Sequence, residues 1–148
     1  MKAAEFLQQV KMLDKMIENK LAEIQRWREI ATNATSNLTG EKVESSHNPH
    51  KTMDAICTYM DLENEYRPQI DVLKKRKMDV IHVIEQLPPT EYDILHKLYV
   101  QDYELQDIAS LYQRSYGWAT TAHSRAKKSV QKILDKRERN DGTQQRKD

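Results

Sequence analysis

The chain has 148 residues, a formal net charge of +1, 32% charged and 38% hydrophobic side chains, and only three glycines and four prolines. Few turn formers among abundant Lys, Glu, Gln and Leu favour long helices with solvated faces, and Val, Ile and Thr never alternate over a strand-length window, so an all-α fold is predicted. One cysteine excludes an internal disulfide, and no apolar run approaches the length of a membrane span, so a cytoplasmic protein without membrane contact is expected.

From Lys2 to about Thr32, apolar residues recur at Phe6, Val10, Leu13, Ile17, Ile24, Trp27 and Ala31. The steps alternate four and three, with Lys20 as the polar interruption and Leu21 beside it to cover the gap. This spacing predicts an amphipathic helix with a coiled-coil seam, roughly 45 Å long at 1.5 Å per residue. Residues 33–50, NATSNLTGEKVESSHNPH, break the period and predict a loop. Asn33 and Asn37 match the glycosylation pattern, but without a secretory signal they read as polar loop. His47 and His50 sit three apart, yet Pro49 between them argues against a helical ligand pair and so against a metal site.

A second seam follows at Thr52, Ile56, Tyr59, Glu63, Tyr66, Ile70, Leu73, Lys77, Val80, Ile84 and Leu87. It keeps phase across Pro68, where the missing amide predicts a kink near residues 64–68. Cys57 reads as a small apolar filler on this helix. The KKRK run at Lys74–Lys77 reads as a solvated helix face, with phosphate contact as the other reading. The two long helices pair either as an antiparallel hairpin over residues 1–87 or with a second copy of the chain.

LPPTEYD at Leu87–Asp93 is a break and a restart, with Thr90 and Asp93 spaced to cap the next helix. That helix carries Tyr92, Leu95, Leu98 and Tyr99 at helical spacing, and QDY makes a turn. ELQDIASLYQ then predicts a short helix with Leu105, Ile108, Ala109 and Leu111 facing inward. RSYGWATTAHSRAKK follows, with Ser115 as the N-cap of a last helix. Helix, tight turn and helix over residues 88–136 have the shape of a helix-turn-helix.

The last helix carries three sets of residues that such a motif needs. Ala119, Ala122 and Ala126 let it approach its neighbour closely. Tyr116, Trp118, Thr120, Thr121 and Ser124, with Gly117 among them, offer aromatic and hydrogen-bonding groups to base edges in a major groove. Arg114, Arg125, Lys127 and Lys128 offer charge to phosphates, and Ser115 opens the helix. Trp118 has a structural reading as well, as a wedge against the preceding helix. Arg125 also reads as an ion-pair partner within the module, and His123 as a residue that packs or bonds a phosphate and does not titrate. Residues 1–113 hold 14 Lys/Arg against 19 Asp/Glu, a net of −5, whereas residues 114–148 hold 10 against 4, a net of +6. A basic end on an acidic body fits contact with nucleic acid. The segment from residue 137 onward is polar and predicts a disordered tail.

The stretch LPPTEYDILHKLYVQDYELQDIASLYQRSYGWATTAHSRAKKSV resembles the fourth conserved region of bacterial sigma factors. The likeness runs through LPP, the L-x-x-I-A-x-L of the first helix, the serine at the turn and S-R-A in the second. It is similar in particular to sigma-like regulators of phages and prophages, the ArpU-like group and its streptococcal phage relatives, where S-Y-S-W precedes H-x-R-A much as SYGW precedes HSRA here. Two departures stand out: Lys127 replaces the leucine after R-A, and Gln113-Arg114 replaces Gly-Val at the turn. The resemblance implies a phage-encoded regulator of late genes that binds double-stranded DNA in the bacterial cytoplasm. A homodimer reading two half-sites is expected, because one such helix gives limited affinity. The alternative is a helical interaction protein that binds a host partner such as RNA polymerase, with DNA contact secondary. No glycine-rich phosphate loop or metal-ligand spacing is present, and Asp135, Glu138 and Asp141 lie beyond the basic helix, so no catalysis, cofactor or metal is expected.

Overall fold

The computed structural model describes residues 1–39 and 49–145. Among them the fold is all-α, with no strand: α1 (Ala3–Thr39), α2 (Pro49–Ile84), α3 (Pro89–Leu95) running into a π-helical turn (His96–Val100), α4 (Leu105–Leu111) and α5 (Tyr116–Gln144). No helix among the described residues is long and apolar enough to cross a membrane. The chain divides into two compact units, Met1–Leu13 with Arg76–Asp148, and Asp14–Lys75.

In the first unit one core joins both ends of the chain. Phe6, Leu7 and Val10 of α1, Val80, Val83 and Ile84 of α2, Leu95, Tyr99 and then Ala126, Val130 and Leu134 of α5 are buried together. Each fully buried aliphatic side chain there contributes about 1.5–3 kcal/mol relative to exposure. The break at Leu87–Pro89 lies inside this unit, and Leu87 itself is buried in the core. Polar ties rim it: the Ala3 amide donates to Gln131 Oε1 at 2.7 Å, Lys11 pairs with Asp102 at 2.7 Å, and Arg137 with Asp79 at 3.1 Å.

Local details differ from the sequence expectations in four places of this unit. Thr90 is exposed and does not cap α3. The cap position is Pro88, which has no side-chain bond to offer, and Asp93 is engaged elsewhere. Leu111 is 58% exposed. The buried face of α4 is centred between Ile108 and Ala109 and is completed by the half-buried Tyr112, which leaves Leu111 about 110° away at 3.6 residues per turn. The polar segment from residue 137 is helical to Gln144, where disorder is predicted. Arg137 is anchored on Asp79, and side chains four apart bond along the helix, as Gln131 does to Asp135 and Thr143 to the Arg139 carbonyl. Finally, Leu7, fully buried, lies off the predicted seam, because a helix packing on several neighbours buries a wider stripe than a two-strand seam.

The second unit consists of the adjoining parts of α1 and α2. Lys20 donates to Gln69 Oε1 at 2.6 Å and its ammonium stands 4.1 Å over the Tyr66 ring, while the Arg28 charge acts on Glu63. As the position in α1 rises the partner in α2 falls, so the segments run antiparallel. The polar interruption at Lys20 is therefore accommodated as a cation–π contact with its stem half-buried. Ile17, Ala31, Thr52, Ala55, Ile70 and Leu73 are buried along the pairing. Leu21 does not cover the gap at Lys20. It is 48% exposed and lines a groove of about 440 Å³ with Ile24, Tyr59 and Ile70. Cys57 is exposed, not packed as a filler. α1 continues to Thr39 and α2 begins at Pro49, so residues 33–39 and 49–50 of the predicted loop are helical; residues 40–48, including His47, lie outside the described residues. α2 is continuous through Pro68, whose absent amide leaves the Asn64 carbonyl without its helical partner.

Candidate nucleic-acid interface

The geometry of α5 is set by the turn that precedes it. α4 ends at Tyr112, Gln113 takes a positive φ of 53°, and two bonds close the turn: Gln113 N to Ser110 O at 3.1 Å and Arg114 N to Ala109 O at 2.9 Å. This is the Schellman pattern, which normally employs glycine at the left-handed position. Glutamine there costs about 1 kcal/mol through its Cβ. The departure Gln113 noted in the sequence therefore falls on the one residue of the turn with glycine-like backbone, and the bonding pattern holds it there. Ser115 then caps α5, its Oγ accepting from the Trp118 amide at 3.1 Å.

Behind the turn lies a side-chain network that the sequence did not single out. Asp93 of α3 accepts from Lys97 and from the Tyr112 hydroxyl. Burial disfavours the Asp93 charge, but those two bonds prevail and hold its carboxyl below the usual range. Burial, and then Asp93, push the Tyr112 hydroxyl up to about 12. The Tyr112 ring lies 5.1 Å from that of Trp118, and the Arg114 guanidinium is 5.9 Å above Trp118. Trp118 thus packs against the residue that ends α4, the wedge reading of its two. Only the three-dimensional fold brings Asp93, Tyr112 and Trp118 together, so no spacing in the sequence announces them.

The inner face of α5 presents Ala119 and Ala126, both at 0% exposure, with Val130 below them. His123 Nε2 and the Tyr99 hydroxyl share a hydrogen bond of 3.0 Å on the flank of that face. Burial, reinforced by the Lys127 charge, lowers the His123 pKa from 6.5 to about 4. His123 is accordingly a neutral packing residue at physiological pH. Above pH 6.5 the folded and unfolded chains are both neutral there and the shift contributes nothing. As pH falls from 6.5 to about 4, the unfolded chain takes up a proton that the folded one refuses, so stability falls. His123→Gln is expected to remove that part of the decline between pH 7 and pH 4.5, read as urea midpoints; equal declines in both proteins would assign the effect to another group.

The outer face carries the remaining site residues. Tyr116, Gly117, Thr120, Thr121, Ser124, Arg125 and Lys128 are all exposed, and Arg114 is exposed at the turn. At about 100° per residue, Gly117, Thr121, Ser124 and Lys128 fall within a sector about 60° wide, opposite Ala126. Thr120 donates to the Tyr116 carbonyl at 2.8 Å, whereas the Thr121 and Ser124 hydroxyls make no hydrogen bond among the described residues. Arg125 has no acidic partner among them either, so the ion pair expected as its other reading is not formed there. Lys127 is half-buried beside His123 and stands apart from this sector. The stripe continues beyond the residues predicted from sequence, through Lys132, Lys136 and Arg139, all exposed. Lys128, Lys132 and Lys136, spaced by four, are a signal that was present in the sequence.

No protein-family model, curated protein or solved structure matches the chain. The sigma-like resemblance therefore stands on its quoted motifs alone.

Proposed function

We propose that the protein is a sequence-specific, double-stranded DNA-binding transcription regulator that lays the first turns of α5 in the major groove. The carrying observation is the exposed sector of Thr121, Ser124 and Lys128, with Arg125 on one side of it and Tyr116 on the other, on a helix whose opposite face is locked into a core. Thr121 and Ser124 offer unengaged hydroxyls to base edges, and the cations offer charge to the phosphates on either side. Trp118 and Tyr112 act as positioning residues that hold the helix entry. This is binding chemistry, without catalysis, and a homodimer on two half-sites supplies the affinity that a single helix lacks.

Gly117 adds independent support. A Cβ built there meets nothing closer than the Ser115 Oγ at 3.9 Å, so the protein's own packing has room for a side chain. Glycine costs about 0.5–1 kcal/mol in a helix interior and less in the first turn, a cost that a close approach by an outside backbone would justify. Gly117→Ala is expected to raise the thermal midpoint by about 1–3 °C while weakening duplex binding on the order of tenfold. A more stable variant with undiminished binding would place Gly117 outside the interface.

The deciding experiment is selection of bound fragments from random duplex DNA at about 0.15 M salt, where nonspecific binding is already weakened. One recurring site with two-fold symmetry supports the reading and the dimer together. Recovery of no sequence above background overturns it.

A further inference from the structure

Resting on that reading, we infer that the outer stripe of α5 beyond the groove, Lys132, Lys136 and Arg139 in continuation of Arg125 and Lys128, is a second phosphate-contact surface that extends the DNA footprint past the major groove.

The stripe is built by helical phase. Arg125, Lys128, Lys132, Lys136 and Arg139 fall within about 80° of one another around the axis at 3.6 residues per turn. All five are exposed. Of the acidic residues on the same helix, Asp135 borders the stripe, about 20° from Lys128, and accepts from Gln131; Glu138, about 100° from Arg139, faces the amino-terminal nitrogen of Met1 at 2.9 Å, and Asp141 lies about 140° from the stripe. Arg137, on the inner side, is occupied by Asp79. Lys128, Lys132 and Lys136 have no acidic partner among the described residues, and Arg139 bonds a backbone carbonyl, that of Asp135 at 3.2 Å. An ordinary solvated helix face mixes both signs at spacings of three and four, because such pairs stabilise the helix. Here five like charges stand in register with a single carboxylate, Asp135, at their border, which costs repulsion in the absence of a polyanion.

Length distinguishes this surface from the groove-reading end. From Arg125 to Arg139 the stripe runs about 21 Å at 1.5 Å per residue, whereas the major groove is about 12 Å wide. One groove crossing cannot take all five cations. The distal three meet phosphates at and beyond its edge, on a duplex whose charges repeat every ~1.7 Å of axis. The buried residues Val130 and Leu134 tie this stretch to the core. The cations are thus held on a fixed axis, not on a loose tail.

The test uses the full chain and a duplex of mixed sequence, about 30 base pairs long, titrated by fluorescence anisotropy across a series of salt concentrations. The variant Lys132→Gln, Lys136→Gln, Arg139→Gln is compared with the control Lys74→Gln, Lys75→Gln, Arg76→Gln, which removes the same charge from exposed positions of α2. Glutamine matches lysine and arginine in helix propensity, and circular dichroism checks that both fold. The slope of log K against log salt is expected to fall by about 2.7 in the α5 variant, at about 0.9 per phosphate contact, and to stay unchanged in the control. An unchanged slope in the α5 variant, or equal falls in both, overturns the inference. A site preference that survives in the α5 variant with its slope unchanged would sink the stripe alone. A reduced slope without any site preference would sink base reading alone. Tighter binding to single-stranded RNA of equal length than to the duplex also overturns it.

Discussion

Leu95→Ala is expected to cost about 2–5 kcal/mol, the range for emptying a fully buried leucine site. Leu95 has 0% exposure and lies where α3 passes into the π-helical turn, in the core shared with α1, α2 and α5. A whole domain is typically stable by only 5–15 kcal/mol, so this one truncation removes a large share. The helix that carries Tyr99, and through it the support of His123, loosens at the same time. The measurement is the urea midpoint at constant m. Leu111→Ala is the comparison: that leucine is 58% exposed and its loss should stay within about 0.5 kcal/mol. Similar costs for the two leucines would mean that α3 and α4 pack otherwise than described.

The largest functional effect is expected from the combined change Tyr116→Ala, Thr121→Ala, Ser124→Ala. All three side chains are exposed and none belongs to the core, so the fold should be retained. No cation is removed, so the salt slope should stay as it is. What should disappear is the preference for the selected site over bulk DNA, a ratio of at least about a thousandfold for specific binders. Lys128→Ala should do the converse, weakening every sequence alike and lowering the slope by about 0.9. Binding competition between the selected duplex and a scrambled one reads both. Equal losses on all sequences from the triple change would remove the base-reading role from this face.

Sequence periodicity alone carried the all-α class, the two long helices and the short pair after them, because burial of one helical face imposes a 3.6-residue repeat on the chain itself. The N-cap at Ser115 and the close-packing alanines Ala119 and Ala126 were legible for the same reason: their chemistry is local. Leu111 illustrates the limit. It sits on a seven-residue helix, too short for its phase to reveal that Tyr112 completes the buried face in its place. The polar residues 137–144 show a second limit, since an anchor such as Asp79 for Arg137 comes from another helix and leaves no mark nearby.

The candidate interface divides along the same line. Residue types on α5 and their spacing were sufficient to name the hydroxyls and cations of its outer face, and the Lys128, Lys132 and Lys136 repeat was there to be read. That Trp118 is turned to Tyr112 and that Lys127 flanks His123 depended on tertiary packing, because neighbouring elements decide which sector of a helix is covered. The Asp93–Tyr112 bond, which steadies the turn before α5, spans 19 residues. Composition, periodicity and capping are written in consecutive residues and so belong to the sequence; the joining of α1, α2, α3 and α5 into one core, and with it the choice of which face of α5 stays open, required the chain to fold first.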